Sequence, residues 1–171
     1  MRGSFIALCA GLLLLAGGAT HTRNTQDVRL SADATWLVLP LVNRTTTPQA
    51  GLAAQAIVEA VIAEHGVTHR QAYQADDDEG VLFEASSRAS REAMRQWAAG
   101  RGDYVITGVV HEWRYKTGVD GEPAVGVMIE IRDATGNVVY SGPGARAGGA
   151  RQSLSETGQR VIDDLLAPVI D

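Results

Sequence analysis

The chain has 171 residues, 45% of them hydrophobic, with 15 basic and 20 acidic side chains and a formal net charge of −5 at pH 7. One domain with a real core fits within that length. The acidic balance, with no long basic stripe, excludes nucleic acid as a partner, because phosphate binding needs a basic face.

The first nineteen residues read as an export signal. Arg2 gives a positive start, Phe5 to Leu15 is apolar, and Ala16-Gly-Gly-Ala19 is small. The apolar run is too short for a stable bilayer anchor. Leu15-Ala16-Gly17 is what precedes the lipidated Cys of bacterial lipoproteins, yet position 18 is Gly. The single Cys, Cys9, lies inside the apolar run behind Leu8. Three states of the anchor stay open: Gly18 in place of a lipidated Cys, lipidation at Cys9, or an unlipidated chain cut near Ala19. Without residues 1–19 the chain carries no Cys and loses Arg2, so its charge is one unit more negative.

Residues 20–34 are polar and aperiodic and read as a linker, which leaves 35–171 as a single domain. Thr35 to Leu41 has the shape of a buried strand. Thr47-Pro48 reads as a cap followed by a first-turn proline. Ala53, Ala56, Ile57, Ala60, Val61 and Glu64 follow at helical spacing, and Gly66 suits a left-handed stop. Val67 to Tyr73 reads as an edge strand, with His69 and Arg70 exposed. Residues 74–82 form an acidic loop centred on Asp76, Asp77, Asp78 and Glu79. A helix follows from Ser87 to Ala99, with Ala89, Ala93, Met94 and Trp97 as its apolar face.

Asp103 to Lys116 is a long strand. Strict alternation places Val105, Thr107, Val109, His111, Trp113 and Tyr115 on one face and Ile106, Val110, Glu112, Arg114 and Lys116 on the other. A turn at Val119-Asp120-Gly121 leads to a half-buried strand, with Val125, Val127, Ile129 and Ile131 inward. Ala134-Thr-Gly-Asn137 is a hairpin turn, and Val138 to Gly142 is the returning strand. Ser153 with Glu156 is a capping-box pattern, and Leu154, Val161, Ile162, Leu165, Leu166 and Val169 form the last amphipathic helix. The order β-α-β-α-β-β-β-α makes an α/β (α+β sandwich) fold, a mixed sheet packed with helices.

Catalytic patterns fail on inspection. His111-Glu112 opens a zinc-protease motif, but the second His would fall at Tyr115 and the segment is a strand. The glycine run Gly142 to Gly149 lacks a following Lys-Ser or Lys-Thr and misses the dinucleotide spacing, so it reads as a turn or a close-packing site. No Ser sits in a nucleophile elbow. Glu112, Asp120 and Glu122 are close enough in sequence for a glycosidase pair, but they read as ion-pair partners of Arg114 and Lys116. No enzyme activity, cofactor or metal is called for. A surface role falls instead to the hairpin segment Glu112 to Gly126, where Trp113 and Tyr115 suit a membrane interface or a sugar platform. The acidic run is an ordinary solvated loop in a monomer. Repeated around a pore, it becomes a strong negative field.

Glu112-Trp-Arg-Tyr-Lys116, Gly118 and Asp120-Gly-Glu-Pro-Ala-Val-Gly126 resemble the PelC family, periplasmic lipoproteins of Pel exopolysaccharide export. Trp36-Leu-Val-Leu-Pro-Leu-Val-Asn43, Asp103-Tyr-Val-Ile-Thr-Gly108, Ser141-Gly142 and Gly148-Gly149 extend the resemblance over residues 35–167. It implies an anticodon-binding-domain-like sandwich and a homo-oligomeric ring, dodecameric in the family. The ring would lie on the inner leaflet of the outer membrane, below a β-barrel export protein, and pass a cationic exopolysaccharide outward during biofilm formation. On that reading Asp76, Asp77, Asp78 and Glu79 guide polymer. Trp113, Arg114, Tyr115, Lys116, Asp120 and Glu122 are motif positions for assembly, membrane or partner contact. The first-strand motif is shared in kind with TolB N-terminal and curli-export lipoprotein domains. A monomeric periplasmic binding or adaptor domain is therefore the alternative.

Overall fold

The computed structural model describes residues 28–74, 87–117 and 121–171. In chain order these hold β1 (Trp36–Val38), β2 (Val42–Asn43), α1 (Ala50–Glu64), β3 (Arg70–Ala72) and α2 (Arg88–Ala98). Then come β4 (Tyr104–Tyr115), β5 (Pro123–Asp133), β6 (Val138–Ala147) and α3 (Leu154–Leu166). The strands form one mixed sheet in the order β3-β1-β4-β5-β6, with β2 also on β4. β1 is parallel to both β3 and β4, and β4, β5 and β6 are an antiparallel meander.

The strand expected over Thr35 to Leu41 is only β1, and β2 follows beyond it. Pro40 has no N–H to give to a ladder, and the pairing with β4 stops after Val38 and resumes at Val42. The helix that follows begins later than Thr47-Pro48 implies. Its N-cap is Gln49, held at φ 58 with no side-chain cap bond. The Thr47 hydroxyl instead donates to the carbonyl of Trp113 on β4. The buried face of α1 is Ala54, Val58, Val61 and Ile62, while Ala53, Ala56 and Ala60 are exposed. The helix is apolar nearly all round, so spacing alone does not choose its inner stripe. Its end is as the sequence implies: Gly66 at φ 88, with Gly66 N–H on Ala63 O and Val67 N–H on Ile62 O, a Schellman stop.

α1 and α3 pack side by side on one face of the sheet, and the main core lies beneath them. Trp36, Leu41, Ile106, Val127, Ile129, Ile131 and Ile162 are buried there. Gln55 of α1 is 6% exposed, and its amide donates to Val38 O at 3.1 Å and Tyr73 O at 2.9 Å. It ties the helix to β1 and to the end of β3. α2 lies apart, over a small cluster of Leu39, Met94, Val42, Tyr73, Trp97 and Val105. Ala89 and Ala93, expected on its inner face, are exposed.

Two boundaries move. Residues 28–34 belong to the domain and are not a linker: Leu30 is buried, and Leu30 and Ala32 bond the backbone of Val169 and Asp171. The glycine run Gly142–Ala147 is strand rather than loop, paired with Ala124–Ile129 of β5. It lies under α3, where a Cβ on Gly144 would fall 2.9 Å from Val161 and 3.0 Å from Leu165. Pro143 is tolerated because β6 is an edge strand.

Candidate functional site

The charged, aromatic segment is the β4–β5 hairpin. Its register pairs Glu112 with Gly126, Trp113 with Val125, Arg114 with Ala124 and Tyr115 with Pro123. A bulge at His111 interrupts the ladder between Val110 and Glu112. One extra residue in a strand reverses the alternation beyond it. Ile106, Gly108 and Val110 face the core before the bulge, and Trp113 faces it afterwards.

Trp113, expected on the surface as a contact residue, is therefore a core residue, only 5% exposed. Its indole sits against α3, where a Cβ on Gly158 would come within 2.6 Å of Trp113 Cη2. The other hairpin positions stay outside. Arg114 pairs with Glu112 on its own strand at 3.1 Å, so the ion pair runs along the strand rather than across it. Tyr115 is 50% exposed, and its hydroxyl accepts the Leu154 N–H at the start of α3 at 3.4 Å. Lys116 and Glu122 are exposed and close the hairpin by a 2.7 Å bond from Lys116 N–H to Glu122 O. Asp120 and the polymer-guiding candidates Asp76, Asp77, Asp78 and Glu79 lie outside the described residues.

Among the described residues no group of three His, Cys, Asp or Glu side chains could hold a metal ion. No helix among them is long and apolar enough to cross a membrane. Two carboxylates sit below their ordinary range. Asp133 is lowered chiefly by the Thr135 hydroxyl. Glu156 is lowered chiefly by the Gln152 amide, with Arg160 adding to it. Both are exposed and belong to local structure, the β5–β6 turn and the first turn of α3.

Fold and surface together define a small α+β sandwich domain, distinguished by a charged hairpin anchored through a buried Trp. Solved structures share this fold. A PelC dodecamer from Paraburkholderia phytofirmans matches with a TM-score of 0.69 and 32% identity, over 86% of this chain and 95% of that one. A single-substitution variant of the same protein, also a dodecamer, matches with a TM-score of 0.69 and 33% identity over 85% and 95%. A lipoprotein from Neisseria meningitidis, GNA1162, is more distant, at 17% identity and a TM-score of 0.46 over 70% and 84%. No protein-family model and no curated protein matches the chain. At this identity and coverage the chain belongs to the PelC family.

The sequence reading missed the sheet face opposite α1 and α3, which carries Val109, Met128 and Pro143. The signal was present in β5, whose outward row of Gly126, Met128, Glu130 and Arg132 begins apolar where a water-facing row is ordinarily polar.

Proposed function

We propose that the chain is a non-enzymatic, ring-forming component of Pel-type exopolysaccharide export. It sits in the periplasm against the inner leaflet of the outer membrane. There it passes a cationic polysaccharide to an outer-membrane β-barrel during biofilm formation. The observation that carries this is the match, over 86% of the chain, to a PelC that forms a dodecamer. The export-signal pattern of residues 1–19 and the net charge of −5 support it.

In this reading Asp76, Asp77, Asp78 and Glu79, repeated around the ring, focus a negative field that draws the cationic polymer. Arg114, Tyr115, Lys116, Asp120 and Glu122 are the hairpin's contact set, and Trp113 holds that hairpin to the core. The test is neutralisation of the acidic run to Asn and Gln, with export measured in cells and folding by circular dichroism. A folded variant with reduced export supports the reading. Unchanged export removes the acidic guide. A chain that stays monomeric with and without lipid favours the adaptor alternative.

A further inference from the structure

Among the described residues, the sheet has one face sealed by helices and one face that helices cover only at one end. α1 and α3 seal the first. On the second, α2 reaches only the end marked by Leu39, Val42 and Val105. Beyond it the register aligns Val109 of β4, Met128 of β5 and Pro143 of β6 in one row across three strands. The next row is Glu112, Gly126 and Ala145. A Cβ on Gly126 would lie 3.4 Å from Glu112 Cβ and 3.9 Å from Ala145 Cβ, which fixes these residues on the same side. Among the described residues no helix packs across these rows. The outward positions of such a meander are ordinarily polar, yet this centre is Val, Met, Pro, Ala and Gly.

The charges on this face are arranged as a rim. Glu130 pairs with Arg132 at 2.6 Å towards one end and Glu112 with Arg114 at 3.1 Å towards the other. An apolar centre inside a polar rim is the anatomy of a protein interface. We infer that this open face seats a second copy of the chain, through Val109, Met128 and Pro143. The inference rests on the ring reading above and names the surface that makes the ring.

Two observations choose the occupant. Solved relatives of the same fold are dodecamers, and a homo-oligomer must be built from contacts that the chain's own surface repeats. The chain also carries a net charge of −5, so its copies repel wherever acids are unpaired. On this face Glu112 and Glu130 are each neutralised by an Arg, which removes that repulsion. An anionic lipid surface fits less well at these rows, where Arg114 and Arg132 are each engaged by a glutamate.

The experiment is native mass spectrometry of the protein beside Met128→Arg and Pro143→Glu, with folding followed by circular dichroism. The expected result is an assembled wild type and two folded variants reduced to single chains. Folded variants that assemble like the wild type would overturn the interface while leaving the ring reading intact. A wild type that is monomeric at every concentration, with and without lipid, would overturn both. If Met128→Arg or Pro143→Glu unfolds the chain, Met128→Cys gives a milder readout, with the reactivity of Cys9 taken from the wild type. A thiol at 128 shielded in the assembly and reactive after dilution supports the contact. Equal reactivity in both states rejects it, whether the face is open or is closed by the chain's own residues.

Discussion

Trp113 is the residue whose role changes most between sequence and structure. Its neighbours are charged, yet its ring is the anchor between β4 and α3. Three contacts converge there: its own burial, the Thr47 hydroxyl on its carbonyl, and the bare Gly158 against its indole. Trp113→Ala is expected to lose about 3–5 kcal/mol of folding stability, as large-to-small changes in cores do. Loss of assembly would follow from that, and urea unfolding separates the two effects. Gly158→Ala drives a methyl into the same ring and is expected to cost about 1–3 kcal/mol. A thermal melt of that variant shows whether the contact is as tight as the geometry states. Gln55→Ala removes two buried amide bonds, to the carbonyls of Tyr73 and of Val38, the latter keeping the Tyr73 N–H, for a loss of about 1–3 kcal/mol.

At the scale of elements, α3 is the best specified piece of the chain. Ser153 Oγ accepts the Glu156 N–H at 3.0 Å, and Thr157 Oγ1 donates to Ser153 O at 2.9 Å. Ser153→Ala is expected to cost about 1 kcal/mol, read as a lower midpoint in urea. The Glu156 carboxylate adds a pH dependence. Gln152, then Arg160, holds its pKa below the ordinary 4.5. A carboxylate lowered on folding contributes stability that is complete above the unfolded value and is lost as pH falls through the folded one. Glu156→Gln is therefore expected to be less stable than the parent near neutrality, with the gap closing below about pH 4. Unfolding midpoints across that window test it, and a gap that persists in acid would mean the loss is one of shape rather than charge. The elements that defeated sequence reading did so for local reasons. Pro40 separates β1 from β2, and the bulge at His111 inverts the second half of β4. A run rich in Gly pairs as β6 because β5 offers a ladder and α3 needs a flat floor.

At the scale of the whole molecule, the consequential fact is that among the described residues helices seal one face of the sheet and cover only one end of the other. A domain of this size with a single mixed sheet needs helices on one side to close its core. What the other side meets decides whether it acts alone or as a ring. The basic residues of α2 give that side a second character at the other end. Arg88, Arg91 and Arg95 are exposed, and the Arg101 guanidinium lies 5.6 Å from the centre of the Trp97 ring.

The sequence by itself determined the class of fold, the three helices, the Gly66 and Ser153 caps, the inward row Val125, Val127, Ile129 and Ile131, and the family. Each of these is written in a local dihedral preference or a one-dimensional period, which survives without knowledge of any partner strand. The tertiary structure alone decided the side on which Trp113 lies, the inner stripe of α1 and the enrolment of Leu30 in the core. It also decided which face of the sheet α1 and α3 cover. These depend on register and on what packs across a layer, and a slip of one residue in a strand sends every later side chain to the opposite face.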